Sequence, residues 1–202
     1  KKRDKFLDIG ELVNSGFCTK KIIDFMTEQV DLKKNIFISG ETSTGKTTLL
    51  NALLRTISPN ERMIIIEDTQ EIQMPKAYNA INLISRCQVY ESKEISISDL
   101  IKTSLRMRPD RIILGHGNSA VEMYQRLLML LMESGIPQQA AEIQLGMSIQ
   151  LMVHLTRKNG IRRIHSIYQV RLGQDGTSHQ KILELNFDRG LYEWTYYQNN
   201  SE

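Results

Sequence analysis

Cysteine, tryptophan and proline are scarce in this chain, at two, one and four of 202 residues. Cys18 and Cys87 lie far apart and fit no metal-ligand spacing, so both read as reduced thiols of a cytosolic protein. No apolar run approaches the roughly 20 residues that a membrane-spanning helix needs. The longest block, Leu127-Leu-Met-Leu-Leu-Met132, is far too short, so no membrane span is expected, and no secretory leader is visible. Aromatic residues make up 6% and the formal net charge is only +3. No basic run with interleaved aromatics appears, so no nucleic acid is expected as a partner. The opening Lys1-Lys2-Arg3-Asp4-Lys5 reads as a solvated end rather than a binding arm. The apolar share of 41% supports a real core, and the length is that of one domain with at most a small appendage.

Against this plain background stands Gly40-Glu41-Thr42-Ser43-Thr44-Gly45-Lys46-Thr47-Thr48. It fits the phosphate-binding pattern G-x-x-x-x-G-K-[ST]. Asn35–Ser39 before it reads as a buried strand, and Thr48–Arg55 after it as a helix. Strand, glycine loop and helix in that order are the context the pattern requires. The glycines let backbone N–H groups turn inward around phosphates, and the helix N-terminus adds partial positive charge. Lys46 is placed to reach the β- and γ-phosphates of ATP, and Thr47 to ligate Mg²⁺. A chance match in a chain this long is on the order of 1% at average glycine usage.

The rest of the chain reads as alternating elements. Leu7–Val13 and Lys20–Val30 carry apolar residues at helical spacing, among them Ile22, Ile23, Phe25, Met26 and Val30. The loop helix runs to about Ile57, and Pro59-Asn60 turns. Arg62–Glu67 is apolar on both faces, as parallel strands are. Ile81–Ile84 is a short strand candidate, and Arg111–Gly115 another buried one. Ser96-x-x-Asp99 and Ser119-x-x-Glu122 resemble capping boxes. A helix is expected over Gln138–Leu151. From Met152 the pattern becomes short strands, with turns at Asn159-Gly160, Asp175-Gly176 and Asp188-Arg-Gly190. We expect an α/β fold divided into a helical lead-in over 1–33, a P-loop core over 34–151, and a small β-rich part of the same domain over 152–202.

A P-loop needs an acid for Mg²⁺ and a group that orients the attacking water. Two strand ends offer candidates. The first is Ile64-Ile-Ile-Glu67-Asp68-Thr69-x-Glu71. A carboxylate at the C-terminal end of a core strand lies where open α/β sheets bind ligands. Glu67 is the candidate general base and Asp68 the candidate metal residue. The alternative is an exposed acidic turn. The second is Arg108-Pro109-Asp110-Arg111-Ile-Ile-Leu-Gly115, which has the look of a Walker B strand without its acid. His116 follows instead, and a neutral imidazole is a poor partner for a hard cation.

In order along the chain, Gly40–Thr48, Ile66-Glu67-Asp68-Thr69-x-Glu71, Leu105-Arg106-Met-Arg108-Pro-Asp-Arg-Ile-Ile-Leu-Gly115 and His116-Gly-Asn118-Ser119 resemble the motifs of the secretion ATPases. These are the hexameric motors of type II and type IV secretion and of type IV or tight-adherence pilus assembly. The resemblance covers roughly Leu7 to Val170. It implies a RecA-like core with a mostly parallel sheet, an N-terminal domain essentially absent here, ATP and Mg²⁺ as cofactors, and a homo-hexamer. It also implies inner-membrane platform proteins as partners and a cytoplasmic place at the membrane face. By resemblance Glu67 is the general base, His116 senses the γ-phosphate, and Arg106 and Arg108 match basic positions near the nucleotide or a subunit boundary. For Arg108, pairing with Asp110 is the simpler reading. The other function weighed is a RecA-like nucleic-acid translocase or helicase, and a third is a nucleotide-binding scaffold without turnover.

One departure matters. In the family the Walker B strand ends Gly-Glu, and a turn, a helix and another core strand precede the histidine box. Here Gly115 abuts His116. A parallel crossover takes roughly a dozen residues or more, so none fits. Either a segment is missing at this junction or the chain carries a true deletion and is catalytically dead; with every flanking motif intact, we expect the encoded protein to carry a further segment here, beginning with an acidic residue.

Overall fold

The apolar run after Arg62 becomes strand β2 (Met63–Glu67), every residue of which is buried. The computed structural model describes residues 8–86, 95–96, 99–100, 103–104, 106–115, 128–129, 132, 135–173 and 176–195. His116, Leu105, Cys87, the second capping box and Asp175 lie outside the described residues. The chain divides into two compact units, Lys1–Asp8 with Thr47–His116, and Ile9–Lys46 with Gly117–Glu202.

In the first unit β2 lies between β3 (Ala80–Ile84) and β4 (Arg111–Gly115), parallel to both, with Glu67 opposite Ile84 and Gly115. A strand covered on both faces has to be apolar throughout. Burying each of its isoleucines contributes about 1.5–3 kcal/mol. The strand entries are tied by polar groups. Asp110 Oδ2 accepts the Arg62 N–H at 2.7 Å, and the Arg111 guanidinium pairs with Glu61 at 2.8 Å. The loop helix (Lys46–Leu54), which belongs to this unit from Thr47 onward, buries Leu49, Ala52, Leu53 and Leu54. It starts at Lys46, before the expected Thr48, so Lys46 and Thr47 occupy its first turn. The capping box at Ser96 forms as expected: the Asp99 N–H bonds Ser96 Oγ, and the Ser96 N–H returns to Asp99 Oδ2, both at 3.2 Å.

In the second unit α1 (Ile9–Asn14) and α2 (Lys20–Asp31) precede β1 (Ile36–Gly40). The expected residues of α2, Ile22, Ile23, Phe25, Met26 and Val30, are its buried ones, joined by Gln29. With the loop helix as α3, α4 spans Gln138–Ser148 and β5 begins at Leu151. The helix therefore stops short of the expected Leu151. The reason is a long-range pairing: the Gln150 and Leu151 N–H groups both donate to Asn35 O, and Gln150 Oε1 accepts the Asn35 N–H. From there β5 (Leu151–Lys158) runs parallel to β1. β6 (Ile161–Gly173), β7 (Gly176–Asn186) and β8 (Leu191–Trp194) follow antiparallel, giving the order β1-β5-β6-β7-β8. β6 and β7 reach 13 and 11 residues, longer than the short strands expected. The C-terminal strands thus share one sheet with the P-loop strand. Ile149, Met152 and Val170 form a buried cluster there, packed with Phe37 and Tyr168. Asn159 and Gly160 take positive φ of 53° and 79°, as a two-residue hairpin turn of the expected Asn-Gly kind requires. Among the described residues no helix is long and apolar enough to cross a membrane.

Candidate functional site

Each unit carries part of the motif set. In the second, β1 delivers the chain to Gly40, where φ is +150°. A Cβ there would lie 2.6 Å from Leu155 O and 2.7 Å from Thr44 Oγ1. Gly45 has φ of +100°, and a Cβ on it would meet the Phe17 ring at 2.9 Å, with Arg162 Cδ at 3.6 Å. Both glycines of the pattern are therefore required by conformation and by close approach. Between them Ser43 is left-handed at φ 64°. Thr44, fully buried, ties the turn by donating its hydroxyl and its N–H to Glu41 O at 2.7 and 3.3 Å. Glu41, Thr42 and Ser43 are exposed. Lys46 Nζ folds back over the loop and donates to Gly40 O at 2.6 Å and Glu41 O at 2.9 Å. A cationic amine held over a glycine loop, whose Cβ positions are filled by neighbours, fits the phosphates of a nucleotide.

In the first unit the acidic box is a loop wrapped around one carboxylate. Glu67, at the end of β2, is 0% exposed. Its Oε1 accepts the N–H groups of Glu71 and Ile72, each at 2.9 Å. Its Oε2 is buried with no partner among the described groups. Burial pushes its pKa above the usual carboxylate range. The two N–H bonds pull it back, and the charges of Glu71 and Asp68 raise it further. A carboxylate so raised suits proton abstraction, and its Oε1 also anchors the loop.

Asp68 is exposed, and its Oδ1 accepts the Thr69 N–H at 2.8 Å. Thr47 Oγ1 donates to Glu71 Oε2 at 2.6 Å. The Gln73 N–H donates to Asn51 Oδ1 at 3.2 Å. Thr47 and Asn51 are four apart on α3 and share a face, so the acidic loop is docked on that helix at two points. Thr48 is half-buried on the same helix. An all-oxygen set built on a hydroxyl and carboxylates suits Mg²⁺, which takes its remaining oxygens from water and phosphate. Among the described residues no group of three His, Cys, Asp or Glu side chains forms a metal cage. His116 lies outside the described residues. Arg106 and Arg108 are exposed beside β4, Arg108 with φ of 52°.

The sequence assigns no role to Glu71 and does not single out Phe17, His154 or His165. Glu71 has a local signal, its place in the acidic box. Phe17 has none, since it meets Gly45 only through the fold. His154 and His165 stand in β5 and β6, edge to face with ring centroids 5.7 Å apart.

Residues 3–115 match the family described as type II/IV secretion system protein. The conjugal transfer protein TrbB of Rhizobium radiobacter is 29% identical over 198 residues, covering 84% of this chain and 58% of its own length. The type IV secretion system protein VirB11 of Bartonella quintana is 39% identical over 115 residues, covering 55% of this chain and 32% of its own. The chain thus spans less than two thirds of the length of these relatives. Among solved structures, the VirB11 ATPase of the Brucella suis type IV secretion system, in complex with sulphate, superposes with a TM-score of 0.61 at 21% identity. That match covers 84% of this chain and 64% of the other. The pilus retraction motor PilT with bound ADP gives 0.51 at 14% identity, covering 94% and 56%. At these identities the likeness is one of fold.

Proposed function

The chain belongs to the type II/IV secretion system protein family, and on that premise we propose that it is the ATPase part of a motor subunit that hydrolyses ATP to drive protein secretion or pilus assembly. The observation that carries this reading is Lys46 held over a glycine loop that neither glycine could leave. Gly40–Thr48 bind the phosphates, and Lys46 stabilises the charge that develops on them. Mg²⁺ would be held by Thr47 with Asp68, and when bound it supplies neutralising charge to the phosphates. Glu67 activates water, and His116 acts at the γ-phosphate by resemblance. The PilT neighbour, whose structure carries bound ADP, supports nucleotide as the ligand. The resemblance further implies a homo-hexameric ring with platform proteins of the inner membrane as partners. The motor would then work in the cytoplasm, at the membrane face.

A second reading, a nucleotide-binding scaffold without turnover, draws on the junction at which His116 follows Gly115 directly and at which the family match ends. Steady-state ATP hydrolysis by the full encoded protein and its Lys46→Ala variant separates the two. A motor shows turnover that the variant loses. A scaffold binds nucleotide with equal, background turnover in both.

A further inference from the structure

We infer that Glu71 is a positioning residue of the nucleotide site, holding the Thr47 hydroxyl so that its lone pairs are presented to Mg²⁺. The inference rests on the ATPase reading above and gives it a residue that none of the motif assignments uses. A threonine hydroxyl has one hydrogen and two lone pairs. To ligate a cation it must send the hydrogen elsewhere. An ionised carboxylate is an acceptor only, and at 2.6 Å from Thr47 Oγ1, Glu71 Oε2 lies within the short range of charge-assisted O–H···O⁻ bonds. With its hydrogen committed to Glu71, Thr47 faces any other partner as an acceptor.

Glu71 is itself held. Its N–H is bonded to Oε1 of the buried Glu67, and the same oxygen takes the Ile72 N–H. Two residues on, the Gln73 N–H bonds Asn51 on α3. The loop is therefore fixed at the strand by Glu67 and at the helix by Asn51, with the Glu71 carboxylate between those anchors. The two glutamates of the box divide the work: Glu67 fixes the loop from inside, and Glu71 reaches the P-loop threonine. Asp68 Oδ1 is directed to the neighbouring Thr69 N–H. Outer-shell groups that orient a metal ligand are worth about 10–100-fold in metal affinity.

The test titrates Mg²⁺ into the full encoded protein saturated with a fluorescent ATP analogue, after measuring analogue affinity in chelator. Glu71→Ala is expected to raise the half-saturating Mg²⁺ concentration about 10–100-fold while leaving the metal-free affinity unchanged. Glu71→Gln keeps an amide oxygen able to accept the Thr47 hydrogen, and should restore the titration to within about threefold of the parent. On a Thr47→Ala background, Glu71→Ala should add nothing further. The inference is overturned by an alanine variant whose Mg²⁺ titration matches the parent. It is overturned equally by a parallel loss of metal-free affinity, by a glutamine variant as weak as the alanine one, or by additive effects in the double variant. A parent that binds no nucleotide removes the ATPase reading and the inference together. A parent with normal Mg²⁺ dependence and a silent Glu71→Ala removes the inference alone.

Discussion

Ser39 Oγ lies 3.1 Å from His154 Nδ1 across the β1–β5 pairing, one residue before the first glycine of the loop. His154 meets His165 edge to face, and His165 stacks on Phe187 at 5.5 Å. Burial holds both imidazoles below the usual histidine range. The neighbouring His165 adds to this at His154 while Glu41 opposes it. At His165, Glu184 opposes and Lys181 adds. Folding therefore favours the neutral rings. Below about pH 6.5 the unfolded chain binds protons that the folded chain refuses, so stability falls as the pH drops through that value. The fall is complete once the pH is below the folded values. Urea midpoints measured between about pH 7.5 and about pH 5.5 should decline, and His154→Gln should flatten the decline. An unchanged slope in the variant would show that His154 titrates alike in both states.

Gly45→Ala should destabilise the protein. Its φ of +100° and the Phe17 ring at 2.9 Å act together, and a non-glycine residue in such a conformation costs about 1–3 kcal/mol. Phe17→Leu on that background should recover part of the loss, because it relieves the clash and leaves the dihedral. Denaturant melts of the parent, Gly45→Ala and the double variant check this, and equal stability of Gly45→Ala and parent would contradict it.

Glu67→Gln should keep the fold. The amide oxygen can accept the Glu71 and Ile72 N–H groups as Oε1 does now, and a buried charge is removed. ATP binding should persist while hydrolysis falls by about 10²–10⁴-fold, the usual contribution of a general base. If binding and hydrolysis fall together, anchoring the loop is the whole of Glu67's contribution and the base lies elsewhere.

Self-association follows from the motor reading. With a non-hydrolysable ATP analogue, light scattering of the full encoded protein should give a mass that rises with concentration toward a ring. A monomer at every concentration would count against the motor.

The junction offers a test that needs no variant. Among the described residues β4 is the outer strand of its sheet, paired with β2 alone, and β1 is the outer strand of the other, paired with β5 alone. Both pairings are parallel. Open parallel edges are rare because the unpaired N–H and C=O groups invite a further strand. We propose that the encoded protein carries a strand-bearing segment after Gly115, opened by an acidic residue. Peptide mapping of the protein from its source should recover Gly115 followed by that acid. A peptide running from Gly115 directly to His116 would refute it and favour the scaffold.

Much of the candidate site's local structure was legible along the chain because its parts are local. Gly40–Thr48 is one continuous stretch, a loop that runs into the first turn of α3, with glycine at Gly40 and Gly45 where the backbone demands it. β2 declared itself because a strand buried on both faces must be apolar at every position. The Asn159-Gly160 hairpin and the Ser96–Asp99 box were visible for the same reason, each being a bond or dihedral within four residues. The end of α4 was misplaced, since what stops it is Asn35, more than a hundred positions away. Local periodicity carries no information about such a partner. The Thr47–Glu71 bond was hidden likewise: the carboxylate finds Thr47 only after the loop wraps Glu67 and docks on α3. The sequence by itself determined where the P-loop pattern and the acidic box lie, because both are written in contiguous residues. Tertiary structure alone decided which acid meets which hydroxyl and which strand the P-loop strand joins. Those pairings form between segments that only the folded chain brings together.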